Sequence, residues 1–422
     1  MRILFIKPKL KRSPAYNKKL STKLDVYPEL TIPQLAGITT NEHNVKAIFE
    51  RYHNINFNWD GDLVGVSCVT PLAPRAYEIA DKFRKRGVKV VLGGWHPTAL
   101  PEEAKQHADS VVIGEAEDIW PKLLKDLEKG QLKPFYRNKK PVDLEFIPNA
   151  NRGVNEGFCF MAGVQATRGC PMGCDFCGVT SSPYGHIFRK RPIENVIEEI
   201  ENIKHKYLYF YDPSLTINPT YTKRLFKAMQ CLDKKFTCFG NINVLKKDEE
   251  LLKVARDAGC QNWYIGFESI SQETIDRLGK KSNRVENYIP AVKKIHEYGM
   301  SIIGSFVFGF DTDGPDIFKR TVDMIYDLEI DIVEFTILTP YPGTPLFERL
   351  EKEKRILIKD WSKYTERGNV VFEPKRMTAE ELLNGTEWAN NEINTLSGLL
   401  RRIFNSKNFT FHNFVSNIIQ FS

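Results

Sequence analysis

The segment TRGCPMGCDFC, residues 167–177, is the stretch from which the fold of this chain is best inferred. It places Cys170, Cys174 and Cys177 in the spacing Cx3Cx2C, just past the residues VQAT at 164–167, which predict a strand. In domains that alternate strands and helices, reactive groups lie at the carboxyl ends of the strands. The segment therefore predicts a thiolate site at the end of the first strand of such a domain.

These clustered thiols need a metal or a catalytic explanation, because disulfides are rare in intracellular chains of this size. Thiolates suit iron–sulfur clusters or zinc. A zinc site normally takes four ligands; the next cysteine is Cys231, and His186 could complete a Cys3His site. Three thiolates on one loop would instead leave one iron of a [4Fe–4S] cluster open to a small molecule. We expect the cluster, and the alternative is a zinc-stabilised binding protein without enzymatic activity.

The sequence around this segment predicts a second, larger domain over residues 161–350. Its β-branched and aromatic runs predict six strands, at 164–167, 207–211, 236–239, 263–267, 302–308 and 333–338. Helical patterns lie between them; the first has Pro192 in its first turn and aliphatic residues on one face. Because six strand–helix units are fewer than the eight of a closed barrel, we expect a partial (β/α)6 barrel.

The first 130 residues predict a separate α/β domain. Five short apolar runs, at 3–6, 45–49, 63–67, 88–92 and 111–113, alternate with amphipathic stretches. This pattern is typical of a doubly wound parallel sheet of the flavodoxin-like kind, which binds ligands at the carboxyl ends of its strands. Residues 131–160 are rich in proline, asparagine and lysine and predict a linker. Residues 351–422 lose the alternation and predict a small helical region.

Composition and charge narrow the choice of partners. The chain is 42% hydrophobic and 27% charged, with 60 Lys and Arg against 53 Asp and Glu. This mild, dispersed positive charge predicts no nucleic-acid partner. No apolar stretch approaches the roughly 20 residues that span a bilayer, so we expect a cytoplasmic protein. Residues 396–421 mix aromatic, aliphatic and basic side chains, which predicts either a capping helix or a surface that contacts a membrane face or a lipid-like substrate.

With the Cx3CxΦC motif at the end of a first barrel strand, residues 160–350 resemble the radical SAM enzymes. The resemblance implies that the open iron chelates S-adenosylmethionine (SAM) and that an electron from the cluster cleaves a C–S bond, giving a 5′-deoxyadenosyl radical. It also implies cofactor contacts for Phe176 in the motif, for Asp212 and Ser214 after the second strand, and for Glu268 and Ser269 after the fourth. Residues 211–214 read YDPS instead of the commoner GGE form, which leaves the contact there open.

Two strand ends in the first domain extend the resemblance to the cobalamin-binding radical SAM subclass. GGWHPTALPEE begins at Gly93, and GEAE begins at Gly114. YPGTPL at 341–346 is also characteristic of this subclass. The resemblance implies a cobalamin pocket that includes Gly93, Gly94, Trp95, His96, Gly114 and Glu115. The DxHxxG signature, whose histidine ligates cobalt in other cobalamin enzymes, is absent, and we do not predict His96 as a metal ligand.

The resemblance implies methylation of an unactivated carbon. One SAM would methylate cob(I)alamin, and a second would supply the radical that abstracts hydrogen from the substrate. Radical cyclisation or oxidative rearrangement of a lipid or tetrapyrrole, without methyl transfer, is the alternative. The implied partners are a small molecule, lipid-like or a tetrapyrrole, and an electron donor such as flavodoxin or ferredoxin. Because residues 1–150 contain only Cys68 and residues 261–422 contain no cysteine, we expect a single cluster.

Overall fold

The structure of the chain is a computed structural model, and it describes residues 1–10, 27–154, 159–398 and 402. Within these residues the fold is α/β, with two six-stranded parallel sheets and one short antiparallel pair of strands. Each sheet is covered by its own hydrophobic clusters, two for the first and one large cluster for the second. The predicted α/β fold, with one parallel sheet followed by a second, is therefore confirmed.

The first sheet has the flavodoxin-like strand order. Its strands are β1 (Arg2–Lys7), β2 (Asn44–Phe49), β3 (Leu63–Ser67), β4 (Lys89–Gly93), β5 (Ser110–Ile113) and β6 (Phe135–Arg137). They run in the order β2-β1-β3-β4-β5-β6, all parallel. The order reverses between β1 and β3, which is the point where such sheets bind ligands. β3 is buried at every position, as its continuous apolar run predicts.

The sixth strand, β6, was not predicted and lies in the segment 131–160 that the sequence indicates as a linker. It pairs with β5 through backbone hydrogen bonds, and of its side chains only that of Tyr136 is buried. Because this strand is so short and buries one side chain, its sequence shows no alternation of apolar and polar residues from which it could be predicted. The helices of this domain are α1 (Thr31–Ile38), α2 (Ala73–Arg84), α3 (Trp95–Ala99), α4 (Pro101–His107) and α5 (Trp120–Glu128).

The second sheet has its strands in chain order, as a partial barrel requires. The strands after the first domain are β7 (Met161–Val164), β8 (Thr167–Arg168), β9 (Arg189–Lys190), β10 (Tyr207–Phe210), β11 (Lys235–Phe239), β12 (Cys260–Glu268), β13 (Ser301–Phe308) and β14 (Ile332–Ile337). The sheet runs β14-β13-β12-β11-β10-β7, with β7 and β14 at its edges. The first strand, predicted at 164–167, lies three residues earlier, at 161–164, and Thr167 belongs to β8, which pairs with β9.

Helices cover one face of this sheet and leave the other for the site. The helices of this part of the chain are α6 (Gly178–Ser181), α7 (Ile193–Glu201), α8 (Pro219–Met229), α9 (Ile242–Lys247), α10 (Glu249–Asp257), α11 (Gln272–Arg277), α12 (Tyr288–Glu297), α13 (Ile317–Leu328), α14 (Pro345–Lys352) and α15 (Ala379–Ile393). Alternate strand residues pack into the large cluster beneath them. The residues between them form what we call the inner face, which includes Tyr209, Phe239, Tyr264, Ser305 and Glu334.

The C-terminal region packs against the barrel through α15, which contacts α13 and β14. α15 begins with a capping box between Thr378 and Glu381. Most of the predicted tail, residues 396–421, lies outside the described residues. Among the helices of the described ranges, none has the length and apolar character that crossing a membrane would require.

Candidate active site

The loop that carries the clustered cysteines is held by close backbone contacts. The amide of Cys170 donates to the carbonyl of Gly185 over 2.8 Å. Gly169 has φ of +82°, and a Cβ there would lie 2.1 Å from the carbonyl oxygen of Ile187. Because only glycine tolerates this conformation together with this approach, the turn before Cys170 requires it. Cys177 ends the loop as the N-cap residue of α6.

A buried aspartate fixes the start of the same loop. Asp212 is 1% exposed, and its carboxylate accepts hydrogen bonds from the amides of Ala166 and Thr167 and, over 2.6 Å, from the Thr167 hydroxyl. Burial raises the pKa of Asp212 to about 6, although these hydrogen bonds act in the opposite direction. These contacts also explain why β7 ends early, since the amides of 166 and 167 are turned to Asp212. The expected contact of Asp212 with SAM stays a prediction.

The thiols lie in a shielded environment. Cys174 is 9% exposed, and burial raises its pKa to about 12; burial also raises the pKa of Cys170. The ammonium group of Lys280 acts against both shifts. Metal centres bind the thiolate form, so loading this site with a metal must release these protons.

The donor set fits an iron–sulfur cluster better than a zinc ion. Zinc needs its ligands within about 2.3 Å of one point. Within the described ranges, no three His, Cys, Asp or Glu side chains converge closely enough to hold a single ion. His186, the candidate fourth zinc ligand, is exposed. A cluster instead spreads its thiolate ligands over several iron atoms, which suits Cys170, Cys174 and Cys177.

Glu268 ends β12 close to the cysteine loop. Its φ is +62°, and the register between β12 and β13 shifts between Gly266 and Glu268. The carboxylate pairs with Lys280, whose ammonium also donates to the carbonyl of Gly266 over 2.8 Å. A left-handed conformation of a residue other than glycine costs about 1–3 kcal/mol and is typical of functional sites. The charge of Glu268 also acts on the thiol of Cys174, and the ribose contact of Glu268 stays a prediction.

The other residues predicted to contact SAM have protein neighbours. The ring of Phe176 lies edge-on to that of Phe310, at 6.2 Å between centroids. The hydroxyl of Ser214 lies 2.9 Å from that of Thr216. Ser269 is 3% exposed, and its hydroxyl accepts a hydrogen bond from the amide of Ser271 over 3.1 Å. Contacts of these residues with SAM stay predictions.

A cavity of about 650 Å³ lies between the two domains, beside the cysteine loop. Its walls include Gly94, Trp95, Thr98, Gly114 and Glu115 from the first domain, Gly169, Cys177, Tyr211 and Tyr341 from the second, and Glu366 from the C-terminal region. We call it the interface cavity. The indole N–H of Trp95 is buried there and has no protein partner among the described residues. A ligand in this cavity would contact both the glycine-rich strand ends and the loop of Cys177.

A second cavity, of about 500 Å³, opens at the point where the strand order of the first sheet reverses. It is lined by the last residues of three strands: Lys7 of β1, Ser67 of β3 and Gly93 of β4. It adjoins the interface cavity, because both are lined by Gly94, Gly114, Glu115, Gln165, Arg168 and Tyr211. We call it the sheet-edge cavity. Two adjoining spaces of this size fit one large cofactor that extends from the sheet edge to the cysteine loop.

Gly94 is required by the backbone of the first domain. It has φ of +97°, and a Cβ there would lie 2.6 Å from the carbonyl oxygen of Cys68. His96, two residues later, is fully buried and lies outside the lining of both cavities. Its Nε2 lies 3.2 Å from the carboxylate of Glu103, which also accepts from the indole N–H of Trp361 over 3.0 Å. α3 therefore directs Trp95 to the cavity and His96 to the contact with the C-terminal region.

Charged residues link the two domains where the cavities meet. The guanidinium of Arg189 donates to both carboxylate oxygens of Glu115, over 2.7 and 2.8 Å. Arg168 donates to Glu117 over 2.5 Å and lies 3.5 Å from Glu115. Burial alone would raise the pKa of Glu117, but the charge of Arg168 lowers it below the usual value. The predicted pocket residue Glu115 is thus fixed to the strand pair beside the cysteine loop.

Sequence reasoning missed several lining residues. Arg168 lies inside the motif itself, and a charge at the end of an apolar run was the available signal. Tyr341 begins the YPGTPL segment, but nothing local indicated its side-chain direction. Glu366, whose carboxylate accepts from the Tyr341 hydroxyl over 2.8 Å, lies in a polar loop at φ of +59°. Neither the composition around Glu366 nor the spacing of apolar residues distinguishes it from other loop residues.

Comparisons with known proteins assign two ranges of the chain to known families. The model of the radical SAM superfamily matches residues 164–325, and that of the B12 binding domain matches residues 43–124. Over 354 residues the chain is 34% identical to bacteriochlorophyllide d C-12(1)-methyltransferase of Chlorobaculum tepidum, covering 81% of this chain and 76% of that protein. Over 363 residues it is 26% identical to the anaerobic magnesium-protoporphyrin IX monomethyl ester cyclase of Cereibacter sphaeroides, covering 77% of this chain and 58% of that protein.

The fold has a counterpart among solved structures. The cobalamin-dependent S-adenosylmethionine radical enzyme OxsB, with aqua-cobalamin and SAM bound, superposes with a TM-score of 0.71. The match covers 99% of this chain and 72% of that chain at 14% identity. The chain therefore belongs to the radical SAM superfamily and carries a B12 binding domain, and it is an enzyme of a [4Fe–4S] cluster, SAM and cobalamin.

Proposed function

We propose that this enzyme transfers a methyl group from SAM to an unactivated carbon of a small molecule, with cobalamin as the carrier. The observation that carries this proposal is the interface cavity, whose walls come from the glycine-rich strand ends of the B12 binding domain and from the loop of Cys177. A cofactor that fills this cavity would end beside the cysteine loop, so a substrate at that junction would meet both cofactors. The relative with the highest identity reported above bears the name of a methyltransferase.

Specific residues would hold the cofactors. Cys170, Cys174 and Cys177 would ligate the cluster, and Glu268 would accept hydrogen bonds from the SAM ribose in exchange for its pairing with Lys280. Gly93, Gly94, Trp95, Gly114 and Glu115 would line the cobalamin pocket. When bound, the cluster with SAM supplies a radical and cobalamin supplies a methyl group. The chain positions both and shields them from water with the apolar wall of the interface cavity.

A tetrapyrrole is the substrate class that we propose, because the named activities of the two relatives concern bacteriochlorophyllide and magnesium-protoporphyrin. We also propose the division of the chain inferred from the sequence. A cobalamin-binding domain spans residues 1–130, a linker 131–160, the radical SAM barrel 161–350 and a helical C-terminal region 351–422. A small reducing protein such as flavodoxin or ferredoxin would supply electrons in the cytoplasm. Contact of the C-terminal tail with a membrane face belongs to the same proposal.

One anaerobic assay tests the reaction type. Protein reconstituted with iron, sulfide and cobalamin is incubated with methyl-labelled SAM, a reductant and a chlorin panel. We expect 5′-deoxyadenosine and S-adenosylhomocysteine in proportion to turnover, and label in the product. Deoxyadenosine with product but without S-adenosylhomocysteine or label would contradict methyl transfer and favour the cyclase class, to which the Cereibacter relative belongs by name.

A binding measurement tests the second cofactor separately. Cobalamin absorbance that co-purifies with the anaerobic protein in a one-to-one ratio is the expected result. Protein that carries a full cluster but retains no cobalamin after gel filtration would contradict the cobalamin part of the proposal. The matched control is a Cys174→Ala variant, which should lose the cluster and keep cobalamin, since Cys174 does not line either cavity.

A further inference from the structure

The inner face of the barrel carries a carboxylate that the cofactor sites do not use. Glu334 lies on β14 with a side chain that is 15% exposed. The hydroxyl of Tyr264, on β12, donates to one of its oxygens over 2.7 Å. Burial and the nearby Glu334 raise the pKa of Tyr264, so this hydroxyl keeps its proton and donates. One oxygen of Glu334 is thus fixed by the barrel itself.

The other oxygen of Glu334 is occupied from the opposite domain. Tyr27, in the segment before α1, donates its hydroxyl to Glu334 over 2.6 Å. The Tyr27 ring lies edge-on to Tyr209, at 5.3 Å between centroids. Although its hydroxyl reaches the carboxylate, Tyr27 is 43% exposed. Its ring is therefore held by the hydroxyl bond to Glu334 and by the contact with Tyr209, and the rest of it is exposed.

A chain of contacting aromatic side chains leads away from this carboxylate along the inner face. Tyr264 packs on Phe239 at 4.5 Å between centroids, and Tyr209 contacts both Phe239 and Tyr211. Tyr211 lines the interface cavity. The set therefore extends from Glu334 to the space beside the loop of Cys177. Aromatic walls with one buried acceptor suit a flat ring that carries a hydrogen-bond donor, because both the ring faces and the carboxylate are then satisfied.

We propose that this part of the inner face binds the substrate ring: an aromatic or conjugated ring with an N–H or O–H donor displaces Tyr27 and donates to Glu334. Tyr27 is itself such a ring and shows what the site accepts. Arg367, 3.9 Å from Glu334, lies at the margin of the site. That the bound ring belongs to the methyl acceptor rests on the proposed function, whereas the ligand preference of the site does not.

The test uses the side chain of tyrosine as a free molecule. In Tyr27→Ala, 4-methylphenol should fill the vacated place, and toluene serves as the same ring without the donor. Binding to cluster- and cobalamin-loaded protein is titrated by ligand-observed NMR under anaerobic conditions. A hydrogen bond to a carboxylate is worth a factor of about ten or more in affinity. We expect 4-methylphenol to bind Tyr27→Ala about tenfold more tightly than toluene does.

Two further variants decide whether Glu334 causes this preference. In Tyr27→Ala/Glu334→Gln the advantage of 4-methylphenol should fall severalfold, because the charged acceptor is gone. Tyr27→Phe keeps the ring and loses the hydroxyl, so its affinity for 4-methylphenol should lie between those of the wild type and Tyr27→Ala. Affinities that are equal across this series, or a preference that survives Glu334→Gln, would overturn the proposal. Cluster absorbance and cobalamin content confirm that each variant is loaded.

The outcome is separable from that of the proposed function. If the affinities for 4-methylphenol differ between the variants as expected but the protein transfers no methyl group, the site is supported and only the proposed reaction is overturned. If methyl transfer is intact but these affinities are equal, only the proposed site is overturned. Tyr209→Leu removes an aromatic wall without touching Glu334 and should weaken the binding of both probes to Tyr27→Ala.

Discussion

Replacing Asp212 with alanine should release the start of the cysteine loop. The amides of Ala166 and Thr167 and the Thr167 hydroxyl would lose their acceptor at a site where Asp212 is 1% exposed. A buried donor without a partner costs about 1–3 kcal/mol. Because these donors share one acceptor, their costs are not additive, and we expect the free energy of unfolding to fall by about 3–5 kcal/mol. The loop that presents Cys170 would lose its fixed start.

Chemical denaturation and iron content together measure this effect. Asp212→Asn is the matched control, because its amide oxygen still accepts hydrogen bonds, and it should lose about 1 kcal/mol. We expect Asp212→Ala to retain clearly less iron per chain than either the control or the wild type. An Asp212→Ala protein with wild-type unfolding and a full cluster would refute the anchoring role and restore the predicted contact with SAM as the main function of this carboxylate.

The same pair of proteins has a defined pH dependence. The folded-state pKa of Asp212 is about 6, above the ordinary value of 3.8, so ionisation is disfavoured in the folded state. The free energy of unfolding of the wild type should therefore exceed that of Asp212→Asn by most below pH 4. This difference should shrink as the pH rises toward 6 and change little at higher pH. One pKa unit corresponds to about 1.4 kcal/mol, which sets an upper limit of about 3 kcal/mol. A difference that is independent of pH would contradict the raised pKa.

Three further substitutions test the site. Cys174→Ala should reduce iron and sulfide well below four of each per chain, measured after anaerobic reconstitution; a full cluster would contradict its role as a ligand. Gly94→Ala would place a Cβ 2.6 Å from the carbonyl oxygen of Cys68 at φ of +97°, so cobalamin retention and the melting temperature should both fall. Arg168→Met leaves Glu117 unpaired and should lower the free energy of unfolding by about 3–5 kcal/mol. Arg168→Met/Glu117→Gln should recover part of this loss in the same denaturation assay. Equal stabilities of these last two variants would argue against a buried ion pair.

Local patterns predicted most of the fold because each pattern reports a local physical cause. β3 is buried throughout and has a continuous apolar run, and the ten other strands that were expected also occur in the described structure. The ends of elements were less predictable. β7 stops at Val164 because the amides of Ala166 and Thr167 donate to Asp212 instead of to a neighbouring strand. β6 forms by backbone pairing and has a single buried side chain. Neither cause produces a pattern of apolar residues in the sequence.

The sequence by itself determined the cysteine motif, the glycine-rich strand ends and the order of the two domains, since thiol spacing and backbone freedom belong to neighbouring residues. Only the tertiary structure decided what these features meet. It places His96 on Glu103 and Trp361, outside the cavities, and it brings the Tyr27 hydroxyl to Glu334 across 307 positions of chain. Contacts between such distant residues depend on how the two domains pack, and a single sequence has no periodic or compositional signal for them. The Cx3Cx2C loop predicts that a radical is made, whereas the walls around it decide which molecule receives it.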